Sequence, residues 1–146
     1  MTTIATDGKT MAGDGLVTSG STIFGHDLQK VKRLPDGRIV GCAGSGYNGV
    51  AFMDWLESGG DKPKLGEDFE AIVLHPDGSC FTYDESCVAM SESLPTATGS
   101  GRQLALAAMD LGKTPAEAVE YAATRDMATG GVIRSTELQF KLAEVA

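Results

Sequence analysis

Residue 2 is the first position at which chemistry can be read from residue type, because Met1 is followed by a small residue, Thr2, of the kind that methionine removal exposes. A free N-terminal threonine carries a hydroxyl and an α-amine on one residue, and such an amine titrates at roughly 7.7–8.0. A base in that range works near neutral pH, and threonine with its own amine is a known self-activating nucleophile. Many chains begin Met-Thr with no such role, so the case depends on partners for Thr2.

Two charged residues are candidates. Asp14 lies in Ala12-Gly13-Asp14-Gly15, and Lys30 follows Asp27-Leu28-Gln29. The plain readings are a turn and a solvated lysine. If Lys30 points inward at the Thr2 hydroxyl, its charge favours the alkoxide, and Asp14 keeps the lysine charged and oriented. A buried pair of this kind needs further hydrogen bonds to offset its desolvation.

Three further segments could complete a site. Gly41-Cys42-Ala43-Gly44 ends an apolar strand in small residues, and the Gly41 N–H is a candidate donor to a developing oxyanion. Ser100 precedes a helical segment, where a hydroxyl ordinarily serves as a cap. Asp126 falls on an apolar stripe, four residues after Ala122 and seven after Val119, so its carboxylate requires polar partners there.

The elements that must position these residues follow from periodicity and turn chemistry. Thr2–Thr6 alternates, and Asp7-Gly8 turns it back into Thr10–Asp14. Ser21–Phe24, Lys30–Leu34 and, past Pro35-Asp36-Gly37, Arg38–Ala43 read as further strands. Tyr47–Glu57 reads as a helix stopped by Gly59-Gly60. A polar loop to Asp68 leads to short strands at Phe69–His75, Ser79–Asp84 and Cys87–Met90. Two helices follow. Arg102–Leu111 carries Leu104, Ala107, Ala108 and Leu111 on one face. The other starts at a capping box, Thr114-Pro115-Ala116-Glu117, and runs to about Met127 with Val119, Ala122, Ala123 and Asp126 aligned. Val132–Leu142 reads as a closing strand, with Leu138, Phe140 and Leu142 alternating. This order predicts a single α+β domain over residues 1–146, two packed sheets with helices outside, in four layers.

Composition narrows the function. The formal net charge of −8, with no basic run longer than Lys30-Val31-Lys32-Arg33, argues against nucleic-acid binding. No apolar stretch reaches the length of a membrane span. Cys42, Cys80 and Cys87 lack metal-ligand spacing, and their odd number reads as reduced thiols; with no signal-peptide pattern, the cytoplasm is the expected compartment. Glycine is in excess at 19 residues, so close backbone approaches are expected.

Taken in order, these segments resemble the proteasome β-subunit family, in particular its bacterial HslV-type threonine peptidases among the N-terminal nucleophile hydrolases. The resemblance rests on Thr2-Thr3-Ile4, Ala12-Gly13-Asp14-Gly15, Thr18, Lys30-Val31-Lys32-Arg33-Leu34, Gly41-Cys42-Ala43-Gly44, Gly99-Ser100-Gly101 and Arg125-Asp126-Met127-Ala128-Thr129-Gly130-Gly131. In the last segment, threonine stands where the family pattern has serine.

The resemblance implies a four-layer αββα sandwich of mainly antiparallel sheets and a threonine endopeptidase activity needing no cofactor. Thr2 would be nucleophile and base, with Asp14 and Lys30 tuning its hydroxyl and Gly41 stabilising the oxyanion. Ser100, Asp126 and Thr129 would hold the amine and relay protons. Thr18 and Ala43 would pair with substrate backbone, and Val17, Leu28, Lys32 and Ile39 would line the specificity pocket. Metal binding is left open, since some relatives hold a monovalent cation near the Asp126–Thr129 turn. The implied partners are peptide or unfolded-protein substrates, further copies of the chain, and an ATP-driven unfoldase. The chain departs from the pattern between Gly59 and Phe69, where relatives carry a second long helix that helps form the ring contacts and the face meeting the motor. Two other functions remain open at this point: a small-molecule amidase, and a non-catalytic assembly protein that keeps Met1.

Overall fold

The computed structural model describes residues 2–139. The strands are β1 (Thr3–Thr6), β2 (Thr10–Gly13), β3 (Val17–Ser19), β4 (Thr22–Gly25), β5 (Val31–Arg33), β6 (Ile39–Ala43), β7 (Glu70–Leu74), β8 (Cys80–Tyr83), β9 (Met90–Ser91), β10 (Thr96–Gly99) and β11 (Arg134–Glu137). The helices are α1 (Gly46–Ser58), α2 (Arg102–Asp110) and α3 (Pro115–Ala123).

Two antiparallel sheets are stacked. One has the order β10-β1-β2-β11 and the other β5-β6-β7-β8-β9, while β3 and β4 form a separate ribbon. Alternation along each strand divides the apolar residues between three clusters. Ile4, Met11, Val31, Ile39, Ile72 and Leu74 meet between the sheets. Ala5 and Ala12 face the other way, against Ala105, Ala108, Ala118 and Ala122 of α2 and α3. Val40, Ala71 and Val73 face α1, where Phe52 packs on Phe69 and Tyr83 with ring centroids 5.0 Å from each. The four-layer αββα sandwich is therefore present. Residues 59–69 carry no helix, so the expected shortening falls where the sequence placed it.

Three hairpins are closed by Asp-Gly turns whose aspartate side chains accept backbone N–H bonds: Asp7 from Lys9 and Thr10, Asp36 from Arg38, and Asp77 from Ser79. The capping box at α3 forms in full, Thr114 accepting from the Glu117 N–H and Glu117 from the Thr114 N–H.

Several boundaries differ from expectation. Val17–Ser19 is a strand and pairs with β4. Thr96–Gly99 is also a strand, added beside β1. Cys87 sits at φ 58° in a turn after β8, so the strand expected at Cys87–Met90 is the short Met90–Ser91. Helix α3 stops at Ala123, four residues early, and Asp126 lies in the turn beyond it. The buried face of α2 is Ala105, Ala108 and Met109, leaving Leu111 85% exposed. Ala105 and Ala108 let the helix approach Ala5 and Ala12 closely, with Met109 in the same cluster and Leu104 packed against its edge. The closing strand is Arg134–Glu137, with Leu138 buried after it; Phe140 and Leu142 lie outside the described residues.

Candidate active site

Hairpin register places the first two candidates together. Ile4 pairs with Gly13, so Asp14 comes level with Thr3 and Thr2 as β2 ends. Lys30 stands immediately before β5 in the facing sheet, and the three side chains meet where the sheets converge. The Thr2 hydroxyl donates to Asp14 Oδ1 and accepts from Lys30 Nζ. Lys30 Nζ also lies 3.1 Å from Asp14 Oδ1 and donates to the Leu16 carbonyl at 2.7 Å.

The Asp14 side chain has no exposed surface, and its remaining lone pairs are filled by backbone N–H groups. Thr3 donates to Oδ1 at 3.1 Å, while Leu16 and Gly130 donate to Oδ2 at 3.3 and 3.0 Å. These are the bonds a buried ion pair needs to be tolerated. Burial holds the Lys30 ammonium below the ordinary lysine value, and the charge and hydrogen bond of Asp14 offset that only in part.

A second cluster adjoins the first. Asp126 Oδ2 accepts from the hydroxyls of Ser100 and Thr129, each at 2.6 Å, and Oδ1 accepts from the Ala128 N–H at 3.2 Å. Burial alone would raise the Asp126 carboxyl, but the bonds from Ser100, Thr129 and Ala128 hold it below the usual aspartate value. Ser100 Oγ also lies 3.4 Å from the Thr2 carbonyl oxygen, so this cluster touches the backbone of residue 2. Thr3 joins through its hydroxyl, 2.7 Å from that of Thr129.

A cleft of about 710 Å³ opens beside Lys30, lined by Leu16, Val17, Thr18, Leu28, Gly44 and Tyr47. A smaller cavity of about 90 Å³ shares Lys30, Leu28 and Gly44 with it and reaches Cys42, Gly49 and Met53. Burial pushes the Cys42 thiol up to about 12, so it stays protonated and unreactive near neutral pH. Beyond Asp68, which lines the first cleft, a groove of about 410 Å³ continues past Glu70, Gly99, Ser100 and Arg102.

Not every candidate reaches this cleft. Ile39 is fully buried between the sheets and is not among the residues lining this cleft. Lys32 points to solvent, 3.9 Å from Glu57. Ala43 is buried at the end of β6. Gly41 is an inter-sheet contact: an added Cβ would lie 2.5 Å from Ile4 Cγ2 and 2.8 Å from Met11 Sδ. Its N–H is also committed. Cys42 donates toward Lys30 on the β5 side, so by antiparallel alternation Gly41 donates to β7, opposite Ile72. Gly44, beyond the last ladder pair of β6, is the glycine of that segment that lines the cleft.

Sequence reasoning also missed Thr3, the Leu16 carbonyl, the Gly130 N–H and Glu70. Thr3 carried one usable signal, a polar β-branched residue alternating with buried Ile4. The backbone groups carried none, because any residue supplies them.

No family model matches the chain. It is 30% identical over 131 residues to the ATP-dependent protease subunit HslV of Pseudothermotoga lettingae, covering 69% of this chain and 74% of that one. Against the HslV subunit of Aquifex aeolicus it is 48% identical over 54 residues, 36% of this chain, and that match spans only 31% of the relative's length. Among solved structures, the chain superposes on eukaryotic HslV from Trypanosoma brucei with a TM-score of 0.72 at 19% identity, covering 92% of this chain and 97% of that one. Thiobacillus denitrificans BPH gives 0.71 at 20% identity, covering 94% and 98%, and has also been solved in complex with epoxomicin. At these identities the structural likeness shows the fold.

Proposed function

The chain belongs to the HslV family of proteasome β-subunit-like proteins, and from that premise we propose that it is a threonine peptidase whose nucleophile is Thr2 once Met1 is removed. The observation that carries the proposal is the Thr2 hydroxyl bonded to a buried lysine–aspartate pair.

Removal of Met1 turns a non-basic amide nitrogen into a primary amine. That amine takes the Thr2 hydroxyl proton as Oγ attacks the substrate carbonyl carbon. The ammonium of Lys30 stabilises the oxygen as it gains charge, and Asp14 keeps the ammonium in place. The Gly44 N–H, rather than that of Gly41, is the donor available to the oxyanion. Collapse of the tetrahedral intermediate breaks the C–N bond, and the α-ammonium returns its proton to the leaving amine. Water, deprotonated by the same amine, then attacks the Thr2 ester and releases the acid product. Ser100, Asp126 and Thr129 lie beside residue 2 and hold the amine in position.

Val17, Leu28 and Thr18 line the cleft and serve substrate binding, with peptide or unfolded protein as substrate. Leu111 at 85% and Tyr121 at 47% exposure border an open groove of about 530 Å³ between α2 and α3, a surface suited to association with further copies. No helix among the described residues is long and apolar enough to cross a membrane. Cytoplasmic location and work with an ATP-driven unfoldase complete the proposal.

Intact mass and probe labelling test it together. The purified chain is expected to lack one methionine and to form a covalent adduct with epoxomicin that maps to Thr2. Retained methionine with no adduct would instead favour the assembly protein, and an adduct without peptide turnover the small-molecule amidase.

The pH dependence has a defined sign. The active form has a neutral amine and a charged lysine, so raising pH first creates it and then destroys it. The acid limb of kcat/KM reports the amine, at roughly 7.7–8.0. The alkaline limb reports Lys30, and because burial lowers that group, activity is expected to fall below the ordinary value of 10.5. A peptide-amide assay run from about pH 6 to about pH 11 brackets the ordinary amine and lysine values and so reads both limbs. A plateau persisting past 10.5 contradicts the role given to Lys30.

A further inference from the structure

Glu70 opens β7 of the five-stranded sheet, and its side chain crosses to β10 of the facing sheet, the neighbour of β1. Oε2 accepts from the Thr98 hydroxyl and, at 3.1 Å, from the Gly99 N–H. Oε1 accepts from Arg102 Nη1 at 3.0 Å. All three donors belong to the short stretch where β10 ends and α2 begins.

That stretch presses on the nucleophile. Gly99 has φ 94°, and a Cβ built there would fall 1.9 Å from the Thr2 carbonyl oxygen. The next residue, Ser100, joins the Thr2 carbonyl to Asp126. The Arg102 side chain is 54% exposed, so its ion pair with Glu70 is a weak tether. The charge-assisted bonds from Thr98 and Gly99 are the stronger part of the clamp.

We propose that Glu70 is a positioning residue for the Thr2 reaction, fixing the 98–100 turn so that Ser100 holds the nucleophile and its amine in line with the substrate. This rests on the peptidase reading above. Glu70 acts through Gly99 and Ser100 and performs no bond-making step.

The test uses the methionine-free protein and its Glu70→Ala, Glu70→Gln, Glu70→Asp and Arg102→Ala variants. The readouts are kcat and KM on a peptide amide, a thermal melt, and amide hydrogen exchange at Gly99. Glu70→Ala is expected to lower kcat roughly ten- to hundredfold with KM changed by less than about threefold. Glu70→Gln keeps a side-chain oxygen that can accept from Gly99 and should recover most of the rate. Glu70→Asp keeps the charge but is one methylene too short, so it should fail like alanine and replaces it if the alanine variant does not fold. Arg102→Ala should stay within about threefold of the parent. Gly99 exchange should quicken in the alanine and aspartate variants and not in glutamine.

The proposal is overturned if kcat survives in folded Glu70→Ala and Glu70→Asp. A loss confined to KM overturns it too, since Glu70 would then be a substrate contact, as does glutamine failing to rescue. If the parent shows no turnover that Thr2→Ala removes, the peptidase reading is what fails. Gly99 exchange then decides positioning by itself, and unchanged protection in Glu70→Ala ends it.

Discussion

Lys30→Ala is expected to lower kcat/KM on a peptide substrate by roughly 10²–10³-fold, the range seen when one preorganised donor to a developing charge is lost. The upper end applies, because Lys30 brings a full charge to the Thr2 oxygen at a site where its own side chain is only 8% exposed. Stability should suffer much less. Asp14 keeps its bonds from the Thr3, Leu16 and Gly130 N–H groups after the lysine is gone, and the desolvation of the ammonium is relieved at the same time. Equilibrium denaturation should therefore show a loss of about 1–2 kcal/mol. Lys30→Arg should not restore activity, since a planar fork cannot replace a compact ammonium donating at once to Thr2, Asp14 and the Leu16 carbonyl. Near-parental turnover in a folded Lys30→Ala protein would remove the lysine from the mechanism.

The residues that meet at Thr2 were legible because each has a chemical reason to be where it is. A buried lysine needs a counter-ion, Asp126 needs hydroxyl partners, and Asp-Gly turns fix the hairpin that brings Asp14 level with Thr2. The choice between Gly41 and Gly44 was not legible. Both are glycines in one small-residue run, and only strand pairing shows that the Gly41 N–H is committed to β7 while its missing side chain admits Ile4 and Met11. Ile39 and Lys32 were assigned to the pocket by the resemblance alone, and in this fold Ile39 lies between the sheets while Lys32 points to solvent.

Helix phase failed at α2. Leu104, Ala107, Ala108 and Leu111 form an acceptable stripe, and so do Ala105, Ala108 and Met109, rotated by about one residue. Hydrophobicity favours the first. Close approach to Ala5 and Ala12 selects the second, and that constraint lies in a strand about a hundred residues away in sequence. The strands Val17–Ser19 and Thr96–Gly99 are three and four residues long and take their definition from the partners beside them, β4 and β1.

Asp14→Asn is expected to be the substitution the fold tolerates least, at about 3–5 kcal/mol, the loss typical of removing one partner of a buried ion pair. The amide is nearly isosteric, so the loss arises from hydrogen bonding and charge. Both oxygens of Asp14 accept from backbone N–H groups, Oδ1 from Thr3 and Oδ2 from Leu16 and Gly130. Whichever position becomes NH₂ then faces a donor with a donor. Lys30 meanwhile loses the charge that offsets its burial, so its folded-state value, already below 10.5, moves further down. Between that value and 10.5 the unfolded chain binds more protons than the folded one, and stability rises with pH across the window. Denaturant titrations of parent and variant should therefore show the deficit shrinking as pH is raised from neutrality into that window. A deficit independent of pH would mean that the Lys30 charge is compensated elsewhere, and that Asp14 acts in this fold only as an acceptor for its three backbone donors.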